Sequence, residues 1–346
     1  MRVIKMSDFS ITVLNPGGTD AAQSFSDYAG EPGSAHAPVN FHGYAACTAG
    51  NFETDAVAAI RLQRPILMLI RRDMKAGLRA IEKINASRLP VAVALKESGS
   101  HQFSYQVDSA KQLALLKKIL GLADAVISPT EALIPVYRAL RPGKPPESVC
   151  FLPTPYPFDD PRWDFSIPFD QRRGIFIGTR EFKTMSRNHL AGLIVISGLA
   201  KRLEQNVSVI NVDGRQTDLM LNELDLECQV ETVMDYTDYL RCMAGHRVVF
   251  QLDQSMVPGQ VAGDAGLCRS VAVGGNGSID EILFPDFSAR GQDRLEILAK
   301  TEQLLVDDDY YLNALQAAEE DSLKINFSNS RERLETLFQS IPCLRD

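Results

Sequence analysis

The stretch that decides the fold covers residues 251–281, QLDQSMVPGQVAGDAGLCRSVAVGGNGSIDE. It predicts a buried strand, a loop through Pro258 and Gly259, a short helix that begins at Gln260, and a second strand. The glycine loop over residues 274–277, which follows that strand, would let a ligand approach the backbone. The N–H groups and the positive dipole end at a helix N-terminus are suited to an anion. One turn into the helix, Asp264 is placed to accept hydrogen bonds from sugar hydroxyls. The stretch therefore predicts a parallel-sheet fold with an anion site at its strand ends.

Short apolar runs alternate with helical patterns along the rest of the chain. Runs this short, apolar on both faces, are typical of the buried strands of a parallel sheet. The predicted strands of the first half cover residues 11–14, 66–70, 91–95, 124–128 and 149–152. Those of the second half cover residues 174–177, 207–212, 248–252 and 270–273. The predicted fold class is α/β, with two Rossmann-like halves.

A proline-rich segment separates the two halves. Eight prolines fall between Pro142 and Pro168, a density that excludes helix and central strand. We interpret residues 153–168 as an extended hinge. The predicted domains are therefore residues 1–155 and 156–330, followed by a helical tail over residues 331–346 that packs back.

Composition limits the function classes. The 346 residues include 36 basic and 44 acidic side chains, for a formal net charge of −8, which argues against a nucleic-acid partner. The six cysteines are scattered without a C-x-x-C pair, which argues against a clustered zinc site and fits a reducing compartment. The N-terminus has no apolar signal core, and no apolar run approaches the length of a membrane span. We expect a cytoplasmic protein without an integral membrane segment.

Two loops after predicted strands are candidate ligand sites, since ligands of open α/β sheets bind beyond the carboxyl ends of the strands. In the first loop, Gly17 and Gly18 allow close approach of a ligand to the backbone, although a plain tight turn explains them as well. The second loop begins with Gly178 and Thr179.

Three cations follow in that second loop and before the next predicted helix: Arg180, Lys183 and Arg187. Cations and backbone amides at a strand end and helix start indicate a phosphate site. The alternative is a solvated charged loop.

Four segments together resemble glycosyltransferases of the GT-B fold, in particular the retaining family-4 group. They are LADAVISPTEALIPVYRAL (122–140), GIFIGTREFKTMSRNHLAGLI (174–194), CQVETVMDYTDYLRCMAGHRVVFQLDQS (228–255) and MVPGQVAGDAGLCRSVAVGGNGSIDEI (256–282). The resemblance implies two Rossmann-like domains that face a cleft. The first would bind the acceptor, which would be a glycan, a lipid-linked molecule or a small molecule. The second would bind a nucleotide-diphosphate sugar.

The resemblance also implies roles for individual residues of the second half. The backbone of Gly259, Gln260 and Val261 would contact the diphosphate or the donor sugar. Asp264 replaces the family's second glutamate and would contact the ribose. Val233 lies in the loop that would meet the base. Met256 stands where the family has its first glutamate, and a thioether cannot take that acidic role.

The implied reaction is transfer of a sugar to an acceptor hydroxyl, without a metal and without a cofactor besides the donor. Electrostatic stabilisation of the leaving diphosphate would come from Arg180, Lys183 or Arg187 and from the helix end at Gln260. The one Asp-x-Asp pattern, residues 307–309, is more typical of a helix start than of a metal site.

The source of base catalysis depends on the stereochemistry. In a retaining enzyme the acceptor proton would pass to the leaving phosphate. In an inverting one Glu97, His101 or Asp20 would act as base. His101 is also a candidate sugar contact, ahead of His42 and His246.

Other classes share this architecture. A nucleotide-sugar epimerase would need carboxylates and a histidine concentrated at the cleft. A catalytically degenerate scaffold or regulatory protein is favoured by Met256 alone. A solute-binding protein is disfavoured by the absence of an export signal.

Overall fold

The computed structural model describes residues 9–27, 35–71, 73–96, 99–178, 184–210, 215–224 and 228–341. These residues form two compact units. The first unit contains the described residues up to Lys96, Ser104–Asp159, and those from Asn326 onward. The second contains residues 99–103 and Asp160–Ile325. Glu97, Thr179, Arg180 and Lys183 lie outside the described residues.

The first unit is built on a seven-stranded sheet with the order β2-β3-β1-β4-β5-β6-β7. All neighbouring strands are parallel except β2 and β3. Five strands coincide with predicted runs, whereas β2 and β3 were not predicted. The strands are β1 (Thr12–Leu14), β2 (Gln23–Ser24), β3 (Asn51–Glu53), β4 (Ile66–Ile70), β5 (Val91–Leu95), β6 (Ala125–Ser128) and β7 (Val149–Phe151).

Helices cover the faces of this sheet. Side-chain caps fix where three of them begin: Asp55 accepts from the N–H of Ala58, Asp73 from the N–H of Ala76 and Ser109 from the N–H of Gln112. These helices are α1 (Asn40–Ala46), α2 (Ala56–Arg61), α3 (Met74–Ala86), α5 (Ala110–Leu122) and α6 (Ile134–Leu140). Helix α4 (Ser100–Gln106) begins among the residues of the second unit and ends among those of the first.

The second unit is built on a five-stranded parallel sheet with the order β10-β9-β8-β11-β12. Its strands are β8 (Ile175–Ile177), β9 (Val207–Ile210), β10 (Gln229–Glu231), β11 (Val248–Phe250) and β12 (Val271–Val273). Its helices are α7 (His189–Leu203), α8 (Arg215–Glu223), α9 (Tyr236–Ala244), α10 (Gln260–Leu267), α11 (Ser278–Leu283), α12 (Arg294–Val306) and α13 (Asp308–Ser322). Helix α10 has the predicted bounds, and the four predicted strands are β8, β9, β11 and β12.

The strand order of each unit defines one topological switch point, where connections from adjacent strands leave in opposite directions. In the second unit this point lies between β8 and β11, and in the first between β1 and β4. Ligands of open α/β sheets bind in the crevice beyond the carboxyl ends of such strands. The residues that follow these four strands are therefore the ones to examine.

The boundary between the units falls between Asp159 and Asp160, inside the proline-rich segment. The last helix, α14 (Phe327–Ser340), groups with the first unit. Asp307 accepts from the N–H of Tyr310 and so caps α13, which confirms the predicted helix start. Among the described helices, none combines the length and apolar character needed to cross a bilayer.

Candidate functional site

An ion pair joins the two sides of the second unit's switch point. Arg187 Nη1 contacts Asp253 Oδ2, and Asn188 Nδ2 donates to the carbonyl of Leu252 at 3.1 Å. Asp253 is buried, and its other oxygen accepts from the backbone N–H of Ser255 at 2.7 Å and from its hydroxyl. The Arg187 side chain is 27% exposed, so it is held at the carboxyl edge by a carboxylate and is still partly accessible to solvent. The sequence did not reveal Asp253 as its partner.

Helix α10 begins in the same crevice. Its N-cap, Gly259, has a φ of +96°, which favours glycine, and it supplies no side-chain cap. The first turn packs against the end of β8, where a Cβ on Gly178 would lie 2.5 Å from Val261 Cγ1. The structure thus brings together Gly178, Gly259, Gln260 and Val261, four of the predicted site residues, and orients the α10 dipole toward the β8 end.

A buried carboxyl lies beneath this loop. Asp280 accepts from Gln251 Nε2 at 2.9 Å and from the N–H of Gly277 at 3.0 Å. Burial, and then the negative charge of Asp253, raise the pKa of Asp280 to about 8. A Cβ on Gly259 would lie 2.7 Å from Asp280 Oδ2, so the two loops close tightly over this group.

This packing changes the interpretation of the glycine loop over residues 274–277. A Cβ on Gly275 would lie 1.8 Å from Asp280 Oδ1, and a Cβ on Gly277 would lie 2.6 Å from the carbonyl of Val257. Both glycines are therefore required by contacts inside the protein. The sequence suggested instead that they let a ligand approach.

Asp264 is 1% exposed and accepts a 2.6 Å hydrogen bond from the hydroxyl of Tyr236 through Oδ1. Tyr236 is the first residue of α9, just beyond the end of β10, so both groups belong to the carboxyl edge of the sheet. Val233, which precedes α9, is 63% exposed. Met256 has a φ of +50°, is 37% exposed, and donates its N–H to Asn276 Oδ1 at 3.0 Å. A non-glycine residue in this region stores local strain.

The first unit has a polar cluster at its own carboxyl edge. Asn15 follows β1, and its Nδ2 donates to Asp20 Oδ2 at 3.0 Å. Lys96, directly after β5, donates to the same oxygen at 2.9 Å. Gly17 has a φ of +74°, and a Cβ on Gly18 would lie 2.1 Å from Asn15 Nδ2, so the turn itself requires both glycines.

The pKa of Asp20 lies below its ordinary value. Burial alone would raise this pKa, but the hydrogen bond and positive charge of Lys96 outweigh burial. A carboxylate stabilised in this way is a weaker base.

A stack of aromatic rings lies beside this cluster. The ring of His42 stacks on His36 with centroids 4.3 Å apart and lies 4.0 Å from Phe52. Burial, and then the charge of His36, lower the pKa of His42 to about 3, so the imidazole is neutral at physiological pH. Within the described residues, Nε2 of His42 is buried without a hydrogen-bond partner.

The two other candidate histidines differ sharply. His101 is exposed, and it lies in α4, whereas the sequence placed it in a loop. His246 precedes β11 at the opposite edge of the sheet, and its ring nitrogens contact the carbonyl of Cys242 at 2.8 Å and the hydroxyl of Ser208 at 2.7 Å. These contacts give His246 a structural role. In the described part of the chain, no group of three or more histidine, cysteine or acidic side chains is arranged to hold a metal ion.

No family model and no curated protein matches the sequence. Solved structures do resemble the fold. HepE from Anabaena, solved in complex with UDP, has a TM-score of 0.67 at 13% identity over 96% of this chain and 100% of that protein. Sucrose-phosphate synthase from Thermosynechococcus elongatus has a TM-score of 0.62 at 13% identity, over 95% of this chain and 98% of that protein. A UDP-forming trehalose-phosphate synthase from Burkholderia xenovorans has a TM-score of 0.59 at 10% identity, over 83% of this chain and 77% of that protein.

These likenesses extend over nearly the whole of this chain and of the first two proteins. They agree with two α/β units built on mainly parallel sheets. The chain has the GT-B fold that its sequence predicted.

Proposed function

We propose that this protein is a glycosyltransferase that moves a sugar from a nucleotide-diphosphate sugar to an acceptor hydroxyl. One observation carries the proposal: a cation, Arg187, and a helix N-terminus without a side-chain cap lie beyond β8 and β11, at the switch point of the second unit. Both features favour a bound diphosphate. HepE was solved with UDP and with UDP-glucose, so uridine diphosphate sugars are the first donors to test.

The donor would lie on the second unit. Its diphosphate would contact Arg187 and the backbone of Gly259, Gln260 and Val261. Arg180 and Lys183 would add charge from the preceding loop, together with the backbone of Gly178 and Thr179. Asp264, whose Oδ1 accepts from the hydroxyl of Tyr236, would contact the ribose. Val233 would lie against the base.

The reaction breaks the bond between the anomeric carbon and the β-phosphate oxygen and forms a bond from that carbon to the acceptor oxygen. Charge grows on the leaving diphosphate, and fixed positive groups stabilise it without a metal. The acceptor proton would pass to the leaving phosphate. Asp20 is a poor base for that step because Lys96 stabilises its charged form.

The polar cluster of the first unit is suited to an acceptor hydroxyl. Its carboxylate and ammonium neutralise each other, and His42 is neutral. Hydroxyl groups both donate and accept, so they fit a set of groups that offers both without net charge.

The test is to incubate the whole chain with a panel of nucleotide-diphosphate sugars and to follow both binding heat and products. Hydrolysis of the donor, or transfer to an added polyol, supports the proposal. Interconversion of the sugar would instead identify an epimerase. Absence of both heat and products would identify a non-catalytic scaffold, the alternative that Met256 favours.

A further inference from the structure

The outer surface of α3 and α5 differs in charge from the rest of the molecule. These two helices pack against each other in the first unit. Together they carry six exposed cations and one exposed carboxylate, although the whole chain has a net charge of −8. The cations are Lys75, Arg79, Lys83, Lys111, Lys117 and Lys118.

The one carboxylate, Glu82, lies on the seam between the helices and accepts from Lys118 at 2.9 Å. In the described part of the chain, no other carboxylate lies within ion-pair distance of these six cations. An exposed pair of this kind contributes little to stability. Among these six cations, Lys118 is therefore the one that the described part of the chain pairs with a carboxylate.

Helix α5 has a second unusual property. Its exposed positions include Ala110, Leu113, Ala114 and Gly121 beside the three lysines, and the helix contains no acidic residue. Leu113 is 38% exposed, although Leu116, Ile119 and Leu120 already supply the buried face. A helix surface that combines lysines with an exposed leucine and small apolar residues is suited to a bilayer interface.

We propose that the outer surface of α3 and α5 docks this protein reversibly on an anionic lipid bilayer. The lysines and Arg79 would lie among anionic headgroups, each contributing electrostatic attraction. Leu113 and Ala114 would enter the boundary between headgroups and acyl chains, and the lysine stems would extend along it. A soluble polyanion would use the charges but gain nothing from the exposed apolar side chains. The inference concerns a surface of the first unit and does not depend on the proposed function.

Sedimentation with vesicles tests the proposal on the whole chain. Binding is expected to vesicles that contain phosphatidylglycerol and to be at least tenfold weaker to pure phosphatidylcholine. High salt is expected to release the protein, since the Debye length falls from about 8 Å at physiological ionic strength to about 3 Å at 1 M. Equal binding to both vesicle types, or binding to DNA and heparin but not to vesicles, would overturn the proposal.

Matched charge reversals locate the surface. The triple variant Lys111→Glu, Lys117→Glu, Lys118→Glu is expected to lose at least tenfold in vesicle binding. The control Lys201→Glu, Arg241→Glu, Lys324→Glu makes the same change in net charge at exposed positions of the second unit and should retain binding. Equal losses in both variants would show that net charge alone acts, which contradicts a defined docking surface.

Fluorescence provides a readout that does not depend on charge reversal. The chain has one tryptophan, Trp163, and it is 1% exposed. In Leu113→Trp, emission should shift to the blue when phosphatidylglycerol vesicles are added. In Leu312→Trp, at a position 44% exposed on α13, no shift is expected. An unshifted Leu113→Trp would contradict insertion of this surface.

Discussion

A largely buried titratable group lies at the carboxyl edge of each sheet, Asp280 in the second unit and His42 in the first, and opposite pKa shifts keep both groups neutral. In the second unit, burial and the charge of Asp253 raise the pKa of Asp280 to about 8. In the first unit, burial and the charge of His36 lower the pKa of His42 to about 3. Burial disfavours the charged form of either group, so an acid holds its proton and a base loses one.

The charges that remain near the surface differ between the two edges. In the second unit the partly exposed group is a cation, Arg187, positioned by a buried carboxylate. In the first unit the partly exposed groups are Asp20 and Lys96, which neutralise each other. The comparison indicates that one edge is suited to an anion and the other to a neutral polyol, in agreement with a donor site and an acceptor site.

The largest effect is expected for Arg187→Ala, because it removes a cation from the proposed donor site. Turnover should fall on the order of 10²-fold, which corresponds to about 2.7 kcal/mol of transition-state stabilisation. Steady-state kinetics and chemical denaturation of the same variant separate activity from stability.

The matched control for that variant is Arg187→Ala combined with Asp253→Asn. Arg187→Ala leaves the buried carboxylate of Asp253 without its cation, which should lower stability. Asp253→Asn removes that negative charge, so the double variant should recover stability without recovering turnover. Recovery of both would show that Arg187 acts only by neutralising Asp253.

Asp264→Ala is expected to weaken donor binding by about 1.5–3 kcal/mol, the range for a hydrogen bond to a charged group. Tyr236→Phe keeps the carboxylate and should cost about 1 kcal/mol of stability while leaving donor affinity nearly unchanged. Calorimetric titration with the nucleotide distinguishes the two variants. If both lower affinity equally, or neither does, Asp264 has a packing role and does not bind ribose.

Asp280 should make the protein less stable as the pH rises. Its pKa in the folded chain is far above that of the unfolded chain, so folding retains a proton that is lost as the pH approaches 8. The free energy of unfolding of the wild type, relative to Asp280→Asn, should fall by about 2 kcal/mol between pH 6 and 8. Parallel profiles over this interval would show that Asp280 is ionised in the folded protein.

His42 should make the protein more stable as the pH rises, with a smaller change in the free energy of unfolding than Asp280 gives. Its pKa in the folded chain is below that of the unfolded chain, so stability rises with pH until the unfolded histidine is neutral. Relative to His42→Leu, the wild type should gain about 1 kcal/mol between pH 5.5 and 6.5. The exposed His101 gives the control, since His101→Ala should retain the wild-type profile. A His42→Leu profile that also follows the wild type would contradict a buried neutral imidazole.

Local pattern was sufficient to predict most of the sheet and the helix that carries the candidate site. The run at β4 and the small-residue helix α10 are each specified by their own residues, and the structure has them at the predicted bounds. Strand β10 was missed because two of its three residues are exposed, so it lacks the apolar run of a central strand. Strand β3 was missed because only Phe52 of its three residues is buried.

The pairing of charges could not be predicted because it joins distant parts of the chain. Arg187 follows β8 and pairs with Asp253, which follows β11. Asp20 follows β1 and pairs with Lys96, which follows β5. The glycines over residues 274–277 carried a local signal of close approach, but only the fold shows that the approaching group is Asp280. The sequence ranked His42 below His101 as a candidate and gave no sign of its buried surroundings, since His36 and Phe52 are brought to it by tertiary packing.

Photocrosslinking of the whole chain with 5-azido-UDP, followed by peptide mapping, tests most directly that the second unit's carboxyl edge binds the donor. The labelled peptides should fall within residues 178–281, and unlabelled UDP should suppress the labelling. Label found mainly before residue 142 would contradict the assignment of this edge as the donor site.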